Sequence, residues 1–552
     1  MKALLFRRHP ALLSSITLTL ILLGLTVSLW KWGQGGEEAL GTLRLSLVDP
    51  LTGQVTPARV AVLDQKDQAF VAEDALLAGG DSKDQESRWE GTVEDALARF
   101  KPSWRNYDSG TTQFYSSGES LLRLPSGLYR VTVSKGIEYN EVSREVSISA
   151  GSDSQLTVEI PRWINMPEKG WYSADPHIHV ARTHRELDPL ISKWMQAEDV
   201  HVATLLQWGN VVAFHNAPQY AFGPESVYNE GIYLLASGQE NPRTHVFGHT
   251  IILGTSEPVN FPDQYLLYQL FWEEARRLGG LSGYAHMGIQ AGAQNGLSID
   301  LPLNLISFLE VLQFNGADFS VWYSILNTGF KMSPTSGSDY PFGGAPIGRE
   351  RFYTRVEGPL TYQKWLDGIE LGRTFVSNGP LLEFTVNGRG LGEEVVLAQP
   401  GNVSIKALVR FNPDRDQVEK MELVANGQII RTFWASDGAS EISSDFELPV
   451  GEAGWVALRA SGTKLGLLRP VSSLAHTAPV YLAVHGRPSR AEHPRAKSLC
   501  LAWAGRLRSQ FDAMALSRWD EKISGEYVLK LREELLKRVR SARQYFLTRA
   551  GL

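Results

Sequence analysis

One short stretch of the chain places an acidic residue and two histidines at alternate positions. In residues 171–180, WYSADPHIHV, one residue separates Asp175 from His177 and one separates His177 from His179. Because successive side chains of a β-strand point to opposite faces, a strand here places both imidazoles on one face. Imidazoles arranged in this way are typical of transition-metal sites. The alternative interpretation is a surface strand with solvated histidines, and ligand residues elsewhere in the chain decide between the two.

Further residues of metal-ligand type lie at the ends of strand-like segments. Glu240 ends an apolar run, His249 lies in GHTIILG, His286 closes LSGYAH and Asp339 closes SPTSGSD. In folds built from alternating strands and helices, functional groups gather at the carboxyl ends of the strands. We therefore expect six side chains to converge at one site. They are His177, His179, Glu240, His249, His286 and Asp339.

The spacing of apolar residues divides the chain, after an N-terminal segment, into four parts. Residues 42–162 and 383–490 show a period of two, which predicts two β-sandwich-like domains. Residues 163–382 alternate between strand-like and helix-like segments, which predicts βα units and a mostly parallel sheet, open or closed into a barrel. Residues 491–552 carry an apolar stripe at helical spacing, and we expect a helical tail there.

Residues 1–35 have the composition of a membrane-targeting segment. Lys2, Arg7 and Arg8 precede an uncharged, apolar run from 11 to 30. At about 1.5 Å per residue, a helix of this length spans about 30 Å, the thickness of the bilayer core. The preceding basic residues predict that the rest of the chain lies outside the cytoplasm. We expect an uncleaved signal anchor in the membrane. The alternative is a cleaved signal peptide and a secreted protein.

The composition excludes several classes of protein. At 552 residues, with 43% hydrophobic and 21% charged residues, the chain is expected to be globular and multidomain. A net charge of −6 with both signs mixed predicts no nucleic-acid partner. Cys500 is the only cysteine, so any metal must be held by His, Asp and Glu. The chain also lacks the GxSxG motif of serine hydrolases and the glycine-rich motifs of nucleotide sites.

Five motifs occur in the order typical of one hydrolase superfamily. DPHIH, SGQE, GHTIILG, YAHMG and GSDY resemble the successive metal motifs of the PHP (polymerase and histidinol phosphatase) superfamily, most closely its CehA/McbA-like metallohydrolases. The similarity extends to SGLYRVTVSKGIEY, GRTFVSNGPLLEFTVNG and TAPVYLAVHGRPSRAEH, and so covers most of the chain after the N-terminal segment. The resemblance implies an irregular (β/α)7 barrel, here flanked by the two β-sandwich-like domains, with a metal cluster at the carboxyl ends of the strands.

The resemblance also implies two metal sites that share one carboxylate. The first would be formed by His177, His179, Glu240 and Asp339, and the second by Glu240, His249 and His286. The implied cofactors are two divalent ions, Zn, Mn or Fe. The family's first motif usually continues to an aspartate where this chain has His184, itself a possible ligand. Its last motif usually reads D-x-H, and Pro341 occupies the place of that histidine, which leaves a third metal without its usual ligand.

Together these features predict a metal-dependent hydrolase acting outside the cytoplasm on a small-molecule ester, carbamate, amide or phosphoester. Two close divalent ions activate water and stabilise charge on a substrate oxygen, and a bridging carboxylate suits such a pair. We expect Glu240, His286 and Asp339 to serve catalysis. Arg349 and Arg351 are candidates for binding an anionic substrate group. The alternatives are a metal-containing barrel that binds an envelope glycan or protein without hydrolysing it, and a mainly structural envelope protein.

Overall fold

Four β-sheets dominate the part of the chain that the structure describes. The computed structural model describes residues 39–78, 91–210, 214–287, 291–485, 496–513 and 525–552. Strands account for 42% of the structure and helices for 22%. The sheets of the described residues contain three, six, nineteen and three strands.

The N-terminal part consists of two sheets packed face to face. Strand β1 pairs with β6 and β9, and a second sheet has the order β4-β5-β2-β7-β8, with β3 on β2. The alternating residues Leu43, Leu45 and Leu47 are buried between the sheets, as the period of two predicts. The strands are β1 (Gly41–Val48), β2 (Ala58–Asp64), β3 (Ala69–Phe70), β4 (Trp104–Arg105), β5 (Thr112–Ser116), β6 (Glu119–Leu124), β7 (Gly127–Ser134), β8 (Val142–Ile148) and β9 (Asp153–Glu159), and the helix α1 is Val93–Leu97.

The central part contains thirteen strands, five α-helices and six short 3-10 helices among the described residues. Its strands are β10 (Trp171–Ile178), β11 (Val202–Gly209), β12 (Phe214–Asn216), β13 (Tyr228–Glu230), β14 (Tyr233–Glu240), β15 (Arg243–Thr244), β16 (Gly248–Leu253), β17 (Leu281–Tyr284), β18 (Phe308–Gln313), β19 (Gly316–Ala317), β20 (Ser333–Ser336), β21 (Arg351–Arg355) and β22 (Thr374–Ser377). Its helices are α2 (Asp188–Glu198), α3 (Tyr268–Arg277), α4 (Ala291–Asp300), α5 (Ser320–Asn327) and α6 (Tyr362–Glu370).

The predicted (β/α)7 barrel is wrong, because the central strands belong to one mixed sheet of nineteen strands. Strands β10, β11 and β14 are parallel, and so are β17, β18 and β20. Strand β16, however, is antiparallel to both β14 and β17, and β21 is antiparallel to both β10 and β22. The connection from β14 to β16 is too short for a helical crossover, which usually needs a dozen residues or more, so these strands must run in opposite directions.

The nineteen-stranded sheet continues into the C-terminal part, since β22 pairs with β30. The strands here are β23 (Leu381–Val386), β24 (Glu394–Leu397), β25 (Gly401–Arg410), β26 (Asp416–Ala425), β27 (Gln428–Trp434), β28 (Glu441–Val450), β29 (Gly454–Lys464), β30 (Ser472–Thr477) and β31 (Val480–Val484). Strands β23, β25 and β28 form a separate sheet, and its apolar face shares a buried core with the large sheet. The boundary predicted at 382–383 thus lies within β23, a strand that packs in this shared core.

Two helices form the C-terminal tail and pack on the central part. They are α7 (Ala496–Ala513) and α8 (Gly525–Arg549). The predicted apolar stripe of α8 is buried in the same core as α3 and α5, with Leu531, Leu535 and Phe546 at most 7% exposed. An amphipathic helix gains most of its stability from this kind of packing.

The predicted membrane-spanning helix requires a correction. Within the described residues, no helix combines the length and the apolar composition needed to cross a bilayer. Residues 11–30, for which the anchor was predicted, lie outside the described residues.

His476, in β30, is a buried histidine that the structure holds neutral. Its Nδ1 lies 2.8 Å from the carbonyl oxygen of Thr477, and its Nε2 lies 2.5 Å from the hydroxyl of Tyr323. In the neutral ring, Nδ1–H donates to the carbonyl and Nε2 accepts from the hydroxyl. Burial, reinforced by nearby Arg459 and opposed by the hydrogen bond to Thr477, lowers the pKa of His476 to about 3.

We expect acidification below pH 6.5 to destabilise the folded chain through His476. Between its unfolded pKa of about 6.5 and its folded pKa of about 3, only the unfolded state binds the proton. The free energy of unfolding should therefore fall by up to about 1.4 kcal/mol for each pH unit in this window. Urea unfolding between pH 4 and pH 7 should show a shallower loss for His476→Gln, which keeps a donor and an acceptor but does not titrate. Equal pH slopes for the two proteins would contradict this expectation.

Candidate metal centre

The structure brings all six predicted ligand residues together at one end of the central strands. His177 lies near the end of β10 and His179 just beyond it, Glu240 ends β14, and His249 lies at the start of β16. His286 and Asp339 follow β17 and β20. Their donor atoms form three overlapping groups within which all atoms lie within 4.8 Å of one another. The groups are His177, His179, Glu240; His177, His286, Asp339; and Glu240, His249, His286. We refer to these six residues as the ligand cluster.

Distances between donor atoms of the ligand cluster match those around a shared metal ion. Two ligands bound tetrahedrally at about 2.0–2.1 Å lie about 3.3 Å apart. The Oδ1 atom of Asp339 lies 3.3 Å from Nε2 of His177 and 3.1 Å from Nε2 of His179. Glu240 lies 3.4 Å from Nε2 of His179 and 3.3 Å from Nε2 of His286. The donor atoms are therefore spaced as ligands of common ions.

Glu240 links the two sides of the ligand cluster. Its Oε1 lies 2.7 Å from Nδ1 of His249 and 3.3 Å from Nε2 of His286. Its Oε2 lies 3.4 Å from Nε2 of His179. One carboxylate oxygen thus faces the predicted first site and the other faces the predicted second site. This arrangement is the one expected of a bridging carboxylate.

Two buried ring nitrogens in the ligand cluster have no hydrogen-bond partner among the described residues. They are Nε2 of His177 and Nδ1 of His249. The short contact from His249 to Glu240 does not have the angle of a hydrogen bond. A buried polar atom without a partner costs about 1–3 kcal/mol, so such atoms are rare unless a ligand satisfies them. Since both nitrogens belong to a set of imidazole and carboxylate donors, the residues fit divalent ions of the Zn, Mn or Fe type.

The opposite ring nitrogens of three histidines are fixed by acceptors. Nδ1 of His177 lies 3.0 Å from Oε1 of Glu310, and Nδ1 of His286 contacts Oε1 of Gln313 at 2.5 Å. Nδ1 of His179 lies 3.1 Å from the carbonyl oxygen of Leu206. When each Nδ1–H donates to its acceptor, the lone pair of Nε2 points into the ligand cluster. Contacts of this kind orient histidine ligands and increase their basicity.

Sequence reasoning missed Glu310 and Gln313, both on β18 and both buried. Residues three apart on a regular strand face opposite sides. The pairing of β18 with β20 shifts register between Glu310 and Leu312, and both polar side chains reach the histidines. A glutamate within the apolar segment FLEVLQ was the available signal, because a buried carboxylate needs a partner. Nothing in the sequence pattern indicated Gln313.

Asp175, the acidic residue next to the two histidines, has a structural role. Its Oδ1 accepts from the backbone N–H groups of His177 and Ser338, both at 3.1 Å, and its Oδ2 accepts from Gly348 at 2.7 Å. It thereby ties the loop that carries Asp339 to β10. The loop packs closely against β10 at Gly337, where an added Cβ would lie 2.5 Å from the Cβ of His177. Only glycine fits at this point of the loop.

Two residues of the ligand cluster have left-handed backbone conformations. The φ angles are 58° for His286 and 56° for Asp339. Such conformations cost on the order of 1–3 kcal/mol in non-glycine residues and concentrate at functional sites. At both positions the strained backbone directs the side chain of His286 or Asp339 into the ligand cluster.

Charge within the ligand cluster is strongly interdependent. Burial opposes protonation of His177, but the carboxylates of Glu310 and Asp339 raise its pKa to about 10. Burial lowers the pKa of His249 to about 4 despite the nearby Glu240. Burial disfavours the ionised form of Glu240, yet Arg243 and His249 hold its pKa well below the usual range. The carboxylates in and beside the cluster thus favour a cation there, either a protonated histidine or a metal ion.

Arg243 lies at the mouth of the ligand cluster. His177, His179 and Glu240 are at most 1% exposed and form its floor, whereas the side chain of Arg243 is 21% exposed. Its Nη1 lies 3.2 Å from Oε2 of Glu240, and its guanidinium stacks over the ring of Trp208 at 4.2 Å. Arg243 is therefore a partly exposed basic residue in contact with the ligand cluster, and sequence reasoning did not identify it.

His184 belongs to none of the three ligand groups. It caps a short 3-10 helix, and its Nδ1 contacts the hydroxyl of Thr183 at 2.8 Å.

We expect His184→Ala to leave metal content unchanged, because His184 belongs to none of the three ligand groups. Elemental analysis of the purified variant and the wild type should give equal metal-to-protein ratios. Loss of an ion from the variant would show that His184 moves into the site when metal binds.

Arg349 and Arg351 are both engaged within the protein. Arg349 pairs with Asp108 at 3.2 Å and with Glu350 at 2.9 Å. Arg351 is 1% exposed and donates to the carbonyl oxygens of Gly348, Glu198 and Asp199. Among the described contacts, neither arginine touches the ligand cluster. The geometry favours structural roles over the predicted contact with substrate.

Comparisons with known proteins give no functional assignment. No protein-family model matches the chain, and no curated protein matches it. The backbone protein of the group B streptococcus pilus 2b is 16% identical over 23% of this chain and 43% of its own, with a TM-score of 0.15. A streptococcal ancillary pilin is 15% identical over 26% of this chain and 38% of its own, also at 0.15. A mutant beta-glucosidase from Listeria innocua, solved in complex with laminaribiose, is 8% identical over 60% of this chain and 40% of its own, with a TM-score of 0.12. Likenesses this weak carry no argument.

Proposed function

We propose that this chain is a hydrolase that depends on two divalent metal ions. The observation that carries the proposal is the position of Glu240, which presents one oxygen to His249 and His286 and the other to His179. Asp339 completes the first site with His177 and His179. The ordered similarity of the five motifs to the PHP superfamily, and to its CehA/McbA-like branch, supports the same assignment.

When bound, a pair of divalent ions supplies an activated water and stabilises negative charge on the substrate oxygen. The protein provides the rigid setting for this chemistry. Glu310, Gln313 and the carbonyl oxygen of Leu206 fix the orientation of three histidine rings. The floor of the site is nearly inaccessible to solvent, which strengthens the electrostatic interactions within it.

The substrate would approach on the side of Arg243. This guanidinium is held between the carboxylate of Glu240 and the ring of Trp208, and it is the most exposed charged group that contacts the ligand cluster in the described residues. The indole Nε1 of Trp208 is buried without a hydrogen-bond partner in the same part of the chain. We propose a small-molecule ester, carbamate, amide or phosphoester as the substrate, with an oxygen of the substrate accepting from these donors.

A second candidate is a metal-containing module that binds its partner without hydrolysing it. Pro341 occupies the place of the histidine in the usual D-x-H motif, and the ring of Phe342 packs 5.5 Å from that of His179. The position of the histidine in the motif therefore holds a proline, which cannot bind a metal through its side chain. This observation favours the binding module over the hydrolase, whereas the ordered set of ligand-type residues argues against a purely structural protein.

Hydrolysis assays on the full chain separate the two candidates. Protein stripped of metal and reloaded with Zn, Mn or Fe(II) is tested against chromogenic carboxylic esters, carbamates, anilides, and phosphate mono- and diesters. The hydrolase proposal expects turnover of at least one class, lost on chelation and restored by metal. A fully loaded protein that hydrolyses none of the classes would favour the binding module.

A further inference from the structure

A second polar cavity lies at the junction of the N-terminal, central and C-terminal parts of the chain. Its volume is about 520 Å³. The N-terminal sheet contributes Arg59 and Arg130, the loop before β21 contributes Arg349, and the C-terminal part contributes Arg415 and Lys464. None of its lining residues belongs to the ligand cluster. We refer to this space as the junction cavity.

Carboxylates neutralise only some of the basic side chains of the junction cavity. Arg59 pairs with Glu198 at 2.7 Å, and Arg349 pairs with Asp108 at 3.2 Å. Lys464 likewise pairs with Asp416 at 2.8 Å. These three ion pairs neutralise part of the positive charge of the cavity wall. They do not neutralise the neighbouring guanidinium groups.

Two guanidinium groups in the cavity wall are bonded only to backbone carbonyls among the described contacts. Arg351 donates to three carbonyl oxygens, and Arg415 donates to the carbonyl oxygen of Gly136. A carbonyl satisfies a donor but carries no net charge. Neither arginine forms a direct ion pair among the described contacts, and the carboxylates that influence them, Asp416 for Arg415 and Asp199 for Arg351, act without a hydrogen bond. Burial lowers the pKa of Arg415, and burial together with Arg415 lowers that of Lys464. Six basic and four acidic side chains line the cavity, so its wall carries more positive than negative groups.

One donor in the cavity wall has no partner at all in the described structure. The Nη2 group of Arg349 is buried and forms no hydrogen bond, although the other nitrogens of this side chain pair with carboxylates. The remaining acidic residues of the lining, Glu141 and Asp414, are exposed at its edge. Water and salt screen charges there much more than charges in the interior.

We propose that the junction cavity binds a small anionic molecule that carries a phosphate or carboxylate group. Its volume lies within the range of small-molecule sites, about 300–1,000 Å³. Guanidinium groups recognise both anions through charge-assisted hydrogen bonds. Apolar residues such as Leu63, Ile137 and Leu467 also line the cavity and provide contacts for the body of the ligand. Because the ligand contacts all three parts of the chain, its binding stabilises their arrangement.

The test uses inorganic phosphate and succinate as separate probes on the full chain. Chelated protein is used, so that phosphate bound to metal ions does not contribute. Calorimetry should detect binding of at least one probe, and the same probe should raise the unfolding temperature with the logarithm of its concentration once that concentration exceeds the Kd. Phosphate binding alone indicates a phosphorylated ligand, and succinate binding alone indicates a carboxylated one. If neither probe binds the wild type, the proposal is wrong.

Substitutions locate the binding. Arg415→Gln should weaken it about tenfold, because a charge-assisted contact is lost. Arg130→Gln removes an exposed charge at the same cavity without disturbing a buried contact, and should weaken it about two- to fivefold. Arg410→Gln serves as the control, since Arg410 pairs with Glu383 and does not line the cavity. Equal affinity in all three variants would place the anion elsewhere and overturn the proposal, whatever the outcome of the hydrolysis assays.

Discussion

Glu240→Ala is expected to deplete both metal ions and to reduce hydrolysis by at least about a thousandfold, or about 4 kcal/mol in activation free energy. The reason is the position of this carboxylate, whose two oxygens face different groups of histidines. Without it, two nearby cations would lack the anion that offsets their repulsion. Loss of a peripheral ligand should affect mainly one ion, whereas loss of the bridge should affect both.

The measurement is metal content by elemental analysis, paired with the rate for the best substrate. Glu257→Ala provides a control, because Glu257 is an exposed glutamate whose side chain is 64% accessible. It should retain both ions and the wild-type rate. Full activity and two bound ions in Glu240→Ala would remove the basis of the hydrolase proposal.

Glu310→Gln is expected to lower metal affinity about 10- to 100-fold, the usual effect of removing a partner of a histidine ligand. Glu310 contacts Nδ1 of His177 at 3.0 Å and also accepts from the backbone N–H of His286 at 3.0 Å. Glutamine keeps the shape but loses the charge that increases the basicity of His177. The rate should fall at low metal concentration and recover in part when metal is in excess.

Competition with a metal-binding dye measures this affinity directly. Glu350→Gln is a matched control, since Glu350 is equally buried but pairs with Arg349 and does not contact the ligand cluster. It should lower the free energy of unfolding without changing metal affinity. If Glu310→Gln binds metal as tightly as the wild type, Glu310 does not position the histidine.

The ligand residues could be found from the sequence because their types and positions are locally determined. His177 lies near the end of β10 and His179 directly follows the strand, two positions later, and Glu240 ends β14. Residues at the ends of these strands lie close together because neighbouring strands of one sheet end at the same edge of that sheet. These relations depend on periodicity, which the sequence displays directly.

The strand directions could not be read in the same way. The alternation of strands and helices predicted parallel pairing, but the short connection from Glu240 to Gly248 reverses the chain. The contacts of Gln313 depend on a register shift within β18, and those of Arg349 depend on Asp108 in the N-terminal part. Each of these features arises from tertiary packing between segments distant in sequence, for which a local pattern contains no signal.

The most direct test of the two-metal account is anomalous X-ray scattering from crystals of the full chain loaded with Zn or Mn. We expect two anomalous peaks per chain, one beside His177, His179 and Asp339 and the other beside His249 and His286. Glu240 should lie between the two peaks, with one oxygen directed to each. Absence of any peak at these residues in metal-loaded crystals, or a single peak that leaves Glu240 unbound, would contradict the account.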